Sequence, residues 1–595
     1  AQAISAQYSG WRDFANAKSA APAGGPRASE RVAGSVRAMA REDGGEGGGS
    51  LRDAEALASA GLFRAAPVSS VLANFAAVFA EDAAAVAARG VRDKLLPYDE
   101  HRLADEAFYS VPATSKVDFF ISHAWTTARW HKYLGLCYYV NVGIASLAAV
   151  FTWMGAAAVL ITLRGYAAYG GRGGLLVPCL VYLPVFVFVV FFALGHALAP
   201  WLGRKSAWLD KLCIHQSRTD LKCEGVAALP TFVSSSSRLL ILWAETYFER
   251  LWCNAEVATF CSVHGVQNVD FMPMWLAPWV LTTIALDLVA ISLMDHFLWL
   301  IPVCGDFFAA RLGDSYPLLV GWLTQTFGIG LAISLAYIPM TPFSLYSFSK
   351  KIEAHDLMMS HMRGYRFAAA KCTVESDRVG VRQLIERLFQ NQPHLGFDPE
   401  APQTDPIQRF DRYINTDFAE AIAGQVGGVT RLPYSTCCLA FMPLMFESLA
   451  NVIGCDSMPC EMSYNSEGYA SIPHFMLTNA AMWCFGNVLI YPTTYPVMLT
   501  GLVWCRRKLG HAPQRSCMAS FAVMVGSYLY MGFLMGAVCG VIGIFSITQD
   551  VMYGVILMVV TAVLAWWNYV LFKTSPQAQH RVNHPSKPSF NALAT

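Results

Sequence analysis

Phe119-Phe120-Ile121-Ser122-His123-Ala124-Trp125 and Tyr247-Phe248-Glu249-Arg250-Leu251-Trp252-Cys253-Asn254-Ala255-Glu256 are the two stretches that decide how this chain is read. The first closes the run 117–122, a short apolar segment ending in Ser-His, as a strand buried on both faces of a parallel sheet would. The second leads into a helical pattern over 251–264. Other strand-like runs occur at 207–214, which carries Asp210, at 238–243, where Leu239 to Leu242 are continuously apolar, and at 269–275. Strands alternating with helices predict a parallel α/β sheet. Such sheets present ligands at the carboxyl ends of their strands. Ser122, His123, Asp210 and the start of the 251–264 helix all fall at or just past such ends.

The composition describes a different kind of protein. Of 595 residues, 55% are hydrophobic and only 14% charged, against about a quarter charged in soluble domains. With a mean hydropathy of +0.38, this predicts a polytopic α-helical membrane protein whose partner is the lipid bilayer. A net charge of +1 gives no electrostatic case for nucleic acid. The 16 cysteines show no paired zinc spacing, so no metal site is expected. Cys253, Cys261 and His264 read as ordinary residues of one helix.

A spanning helix needs about 20 apolar residues. Eight segments qualify: 134–163, 175–198, 275–294, 318–340, 436–452, 475–503 with Pro492 and Pro496 inside it, 518–547 and 551–572. The fifth is short, and 297–303 reads as a re-entrant candidate. With eight crossings, one side receives Lys205, Lys211, Lys351, Arg506, Arg507, Lys508, Arg515, Lys573 and Arg581, and the other only Arg164, Arg172 and Arg311. Lys and Arg gather on the cytosolic side, which predicts cytosolic termini and cytosolic soluble segments. On the other side, Cys455 and Cys460 are spaced either for a small disulfide or as two thiols. The domain expectation follows: residues 1–60 Ala/Gly-rich and disordered, and 61–112 helical. The α/β domain is in two halves, 113–133 and 203–274, split by a transmembrane hairpin at 134–202. A second hairpin covers 275–340, a helical cytosolic insertion 341–435, a four-helix membrane region 436–572 and a tail 573–595. The chain begins at Ala1 without Met, as a processed or incomplete chain would, and shows no signal-peptide pattern.

Here the motifs acquire a family likeness. Asp118 with Phe119–His123 resembles the opening strand of Toll/interleukin-1 receptor (TIR) domains. The stretch 234–256, a Ser-rich helix end, an apolar strand, a Tyr and then Trp252-Cys253-x-x-Glu256, resembles their later "WCxxE" element. Residues 269–275 look like the strand that follows it. Trp208-Leu209-Asp210-Lys211-Leu212-Cys213-Ile214-His215-Gln216 is similar to the "WIDxLCINQ" element of heterokaryon-incompatibility domains, regarded as TIR-like relatives. Together these cover about 90 residues outside the hairpin. No clean BB-loop pattern follows the second strand, and no fifth parallel strand precedes the third span. Ser122 and Trp208 lie about 85 residues apart. The excess over an uninterrupted domain is close to two helices of about 20–28 residues and a turn. The resulting expectation is a split cytosolic TIR-like sheet in which residues near 123 and 256 lie close together.

In enzymatic TIR domains the Glu of "WCxxE" is the catalytic carboxylate that cleaves the nicotinamide–ribose bond of NAD. The resemblance therefore implies Glu256 as the catalytic residue and NAD as a substrate, with no tightly bound cofactor. It places Phe120, Ser122, His123, Asp210 and Trp252 around the ligand. A carboxylate beside the ribose stabilises an oxocarbenium-like transition state electrostatically. The resemblance also implies signalling by self-assembly, as a homo-oligomer or a subunit of a membrane complex. The bland reading of the same residues is helix-dipole complementation by Glu256 and core packing by Trp252 and Cys253. A rival function comes from Asp287 in the third span, Glu447 in the fifth and His196 near the end of the second. Ionisable residues inside a membrane are costly and default to functional roles, so a channel or transporter with a regulatory TIR-like domain is the alternative. The bland counterpart pairs them with Asn479, Asn487 or backbone groups.

Overall fold

The run Val117–His123 is a strand (β2) with every residue but Asp118 buried, because parallel strands are covered on both faces. The computed structural model describes residues 49–80, 100–163, 172–372, 375–390, 405–451, 453, 468–509 and 513–573. β2 lies between two parallel neighbours, β3 (Ser206–Trp208) and β4 (Ser236–Trp243), and β5 (Val269–Pro273) follows parallel to β4. A two-residue strand, β1 (Ala66–Pro67), closes the other edge antiparallel to β3, giving the order β1-β3-β2-β4-β5. The four parallel strands thus run second-first-third-fourth in chain order, the arrangement with a switch point between the first and the third.

Short polar contacts fix the register. Asp118 accepts from the Ser206 amide at 2.7 Å and from its hydroxyl at 2.9 Å, pinning the three-residue β3. At the opposite edge Gln425 imitates a missing strand: its amide donates to Val269 O at 2.6 Å and accepts from Phe271 N at 3.2 Å. That covers an edge which would otherwise offer free backbone groups.

The insertion between the first two parallel strands is a helical hairpin. Arg129–Leu163 runs 35 residues, about 52 Å at the α-helical rise, and Gly174–Leu198 returns against it. The first helix is long enough to do two jobs. Its start lies on the sheet, where Tyr139 donates to Asp270 at 2.6 Å and a Cβ at Gly135 would stand 2.6 Å from Met274 Cε. Its remainder continues beyond the sheet, exposing Leu147, Phe151, Met154 and Ile161. One hydrophobic core runs from β2 and β4 into the helix bundle, so no linker separates the α/β module from the helices.

Among the described residues seven helices, not eight, are long and apolar enough to cross a membrane: Arg129–Leu163, Gly174–Leu198, Leu276–Met294, Pro317–Arg363, Ile472–Leu509, Gln514–Thr548 and Val551–Phe572. This corrects the count at its fifth segment. There the chain forms Tyr434–Ala440, Met442–Glu447 and a 3₁₀ turn, with the break at Phe441. Pro443 lacks an N–H and its ring cannot sit against the preceding turn. The broken segment still follows the first long helix along its length. Thr436 meets Tyr138, Phe446 O accepts from the Trp153 indole at 3.1 Å, and Ala450 and Ile453 pack with Leu160. By contrast Ile472–Leu509 absorbs its prolines through a π turn, Gly486–Ile490, just before Pro492. The 297–303 segment leads into a 13-residue helix, Leu300–Leu312, stacked on Pro317–Tyr337.

Three other expectations are refined. A helix, Gly49–Ser59, already lies inside the stretch read as disordered, with Ala54 in the core; residues 1–48 fall outside the described residues. The second parallel strand ends at Trp208, because Asp210 opens a short helix, Asp210–Cys213. The insertion 341–435 is helical where described, and its first helix, Thr341–Arg363, continues the fourth long helix. Cys455 and Cys460 lie outside the described residues.

Candidate functional site

Ser122 and His123, adjacent at the end of β2, point to opposite faces and so build two separate clusters. On one face the Ser122 hydroxyl, 1% exposed, donates to Glu256 Oε2 and lies 2.6 Å from the Tyr247 hydroxyl. Glu256 sits in the second turn of Leu251–His264. That helix starts where Lys371 O accepts the Leu251 amide at 3.2 Å, a backbone cap for an otherwise open terminus. Burial drives the Glu256 carboxyl up to about 8, assisted by the charge of Asp210 and opposed by the Ser122 hydrogen bond and Arg250. Burial likewise pushes the Tyr247 phenol and the Cys253 thiol well above their ordinary values, so Cys253 is no nucleophile at neutral pH.

The crevice at Glu256 is narrow. Its walls are Leu229, Pro230, Val233, Trp252 and Glu256 on one side and Gly380, Val381 and Leu384 on the other. Its volume is about 10 Å³, room for about one water. The second wall belongs to the helix Glu375–Leu388, held by Val381 (2% exposed), Ile385 (0%) and a 3.3 Å hydrogen bond from the Trp252 indole to Asp377. The helix Glu375–Leu388 thus turns part of its apolar face, with Gly380, Val381 and Leu384, to the crevice that Glu256 and Trp252 also line.

On the other face His123 Nε2 lies 3.3 Å from Asp210 Oδ1. Asp210 also accepts from the Trp125 indole at 2.7 Å and the Lys211 amide at 2.8 Å. Burial pushes this carboxyl up but is outweighed by His123, Trp125 and the Lys211 amide, which hold it at about 2. Asp210 is therefore ionised and engaged in organising the loop after β2. Lys132, 1% exposed, donates to Trp125 O at 3.4 Å, and Lys211 and Arg250 approach the exposed Trp125 ring at 5.6 and 5.7 Å.

Of the residues singled out from the sequence, Ser122, Trp252 and Glu256 come together. His123 and Asp210 pair with each other across the strand. Phe120 is fully buried, stacked 4.4 Å from Trp208 at 10°, and belongs to the core. Tyr247 and Asp377 were missed. Tyr247 stands inside the quoted motif, but nothing in the pattern turns it toward Ser122. Asp377 lies on an amphipathic helix whose partner no local signal names.

In the bundle Asp287 accepts from the Tyr337 hydroxyl and from the Leu444 amide at 3.0 Å. The break at Phe441 leaves that amide without an intrahelical partner, and Asp287 supplies one from a neighbouring helix. Glu447 is 3% exposed, while His196 contacts Asn141 at 3.2 Å inside the inserted hairpin. Asn479 bonds within its own helix to Phe475 O. Among the described residues no group of three or more His, Cys, Asp and Glu could hold a metal. Comparison with protein-family models, curated proteins and solved structures finds no match to this chain.

Proposed function

We propose that this chain is a membrane-embedded TIR-like protein of signalling or self-assembly, whose split α/β module cleaves the nicotinamide–ribose bond of NAD at Glu256. The observation that carries this reading is the placement of Glu256. It is hydrogen-bonded to Ser122 at the carboxyl end of β2, beside the switch point where doubly wound sheets take their ligands. In this reading nicotinamide leaves with the bonding electron pair, and positive charge develops at the ribose. The ionised Glu256 stabilises it, and water adds to the ribose carbon with loss of a proton, giving ADP-ribose.

With its carboxyl at about 8, Glu256 is mostly protonated at neutral pH. A crevice of about 10 Å³ admits no dinucleotide. Both point to one requirement: the helix Glu375–Leu388 must withdraw. Withdrawal opens the crevice and returns water to the carboxyl, which lowers its pKa and restores the charge the reaction needs. Counting the broken segment 434–451 as a crossing beside the seven long helices, the bias of Lys and Arg supports a cytosolic position for the module and both termini. A single core shared by sheet and bundle supports a route by which rearrangement among the helices reaches the cover.

Purified full-length protein in detergent should release nicotinamide from NAD, and Glu256→Ala should abolish the release. Equal background release by the two proteins, including under conditions that cross-link or cluster them, removes the enzymatic part and leaves an assembly module.

A further inference from the structure

Beyond the helix Glu375–Leu388 in sequence comes one continuous helical run, Pro406–Tyr413, Ile414–Phe418 and Ala419–Val426. The first part of this run is fastened to the end of Glu375–Leu388. The Phe389 ring lies 5.1 Å from that of Phe410 and 5.8 Å from that of Tyr413, and Gln390 O accepts from Arg409 at 3.0 Å. The last part is fastened to the sheet by Gln425, which bonds both Val269 O and Phe271 N on β5. The helix lining the Glu256 crevice and the run behind it therefore form one lobe, and the run's C-terminal end is where that lobe meets β5.

A second helix holds that same end. The run stops at Val426, and Gly427 reverses the chain at φ +84. A Cβ there would stand 2.6 Å from Arg431 O, so the reversal requires Gly. The three carbonyls that follow are taken from outside. Lys351, 2% exposed, donates to Val429 O at 2.8 Å and to Gly428 O at 3.5 Å. His355, 3% exposed, donates from Nε2 to Gly427 O at 3.0 Å, since a carbonyl can only accept. Both donors stand on Thr341–Arg363, one turn apart and on one face. Two buried side chains of one helix thus grip three consecutive carbonyls of the lobe.

Packing does not explain this arrangement. Burying a lysine is costly, and an apolar side chain would fill the same space without that cost. The cost is offset only while the ammonium keeps its carbonyls. A cation is favoured at the C-terminal end of a helix, and hydrogen bonds from charged donors are the strong ones. Drawing the two helices apart would strand a buried charge, so the contact resists displacement. Thr341–Arg363 continues the fourth long helix, Pro317–Arg363, so the hold on the lobe comes from the bundle. We propose that Lys351 and His355 are a clasp by which the fourth long helix keeps the crevice at Glu256 covered, and that the cover opens when this helix and Gly427–Val429 part. The clasp stands on its own contacts; its consequence for NAD cleavage rests on the reading of Glu256 given above.

The test is amide hydrogen exchange of the purified full chain in detergent, wild type against Lys351→Met, which keeps an apolar stem of similar length and removes the donors. Amides of Ala419–Val426 and Glu375–Leu388 should exchange about ten- to a hundredfold faster, the range that loss of a charged hydrogen bond opens. β2, β4 and Leu276–Met294 should keep their wild-type rates. His355→Phe removes the other donor and should move the same two helices in the same direction; if Lys351→Met does not fold, this variant decides the matter. Three results each overturn the proposal: wild-type rates throughout; faster exchange confined to residues 427–432, as a local loop tether would give; or equal acceleration in the sheet and the bundle, as a general loss of stability would give. If Glu256 cleaves NAD, Lys351→Met should also release nicotinamide faster than wild type, a gain that a damaged core would not produce. The expected exchange pattern without that gain counts against the NAD reading and leaves the clasp standing.

Discussion

Replacing Glu256 with Gln should stabilise the protein at alkaline pH and leave it nearly unchanged near pH 5. The carboxyl has an ordinary value of 4.5 and stands at about 8 in the folded chain, chiefly through burial. Between those values the folded state holds a proton that the unfolded state has released. Stability must therefore fall as pH rises through this window, with the full penalty present above the folded value. At about 1.4 kcal/mol per pH unit, a window of about 3.5 units sets a ceiling near 5 kcal/mol. Because Glu256 keeps some contact with solvent at the crevice, about 2–5 kcal/mol is the working range. Gln keeps the shape and an acceptor for Ser122 but cannot ionise. The assay is thermal unfolding of both proteins in detergent from pH 5 to 9. The curves should meet at the acid end and separate by at least a few degrees at the alkaline end, with Gln the more stable. Parallel curves across the range would refute a buried, proton-holding Glu256.

Asp210 carries the opposite sign. Held at about 2, it stabilises the fold above its unfolded value, and this is lost as pH falls through the folded one. Asp210→Asn should cost about 2 kcal/mol at neutral pH and lose its effect toward pH 2, measured by the same melts. Gln425→Ala removes two hydrogen bonds to the edge of β5. It should cost about 1–3 kcal/mol and, by baring a strand edge, increase aggregation seen by size-exclusion chromatography. Val381→Asp places an unpaired charge under the helix Glu375–Leu388, where Val381 is 2% exposed. At several kcal/mol for an unpaired buried charge the helix should detach, so its amides should lose hydrogen-exchange protection while β2 and β4 keep theirs.

Much of the α/β module was legible in the sequence because its signals are local. β2 and β4 are continuous apolar runs, as parallel strands covered on both faces must be. The helix after β4 was expected at 251–264 and spans Leu251–His264. The inserted hairpin was visible from apolar length alone. β1 was not legible: two residues, one of them Pro67, carry no periodicity. The second strand was read through to residue 214, because Leu209, Leu212 and Ile214 continue the apolar run. Asp210 ends it by taking the next backbone amide at 2.8 Å. The fifth span looked continuous in composition, and only the geometry of Pro443 breaks it. The site divides in the same way. Ser122 and Glu256 were found from motif positions, but alternation along β2 separates His123 from them. The cover over Glu256 could not be read, since an amphipathic pattern states that a helix buries one face and not which surface receives it.

The most direct test of the central claim is nicotinamide release from NAD by wild type, Val381→Asp and the double variant Val381→Asp with Glu256→Ala, side by side in detergent. If Glu256 is a catalytic carboxylate kept covered by the helix Glu375–Leu388, wild type is slow, Val381→Asp is faster, and the double variant falls to background. Release that is the same in Val381→Asp and the double variant would contradict the account.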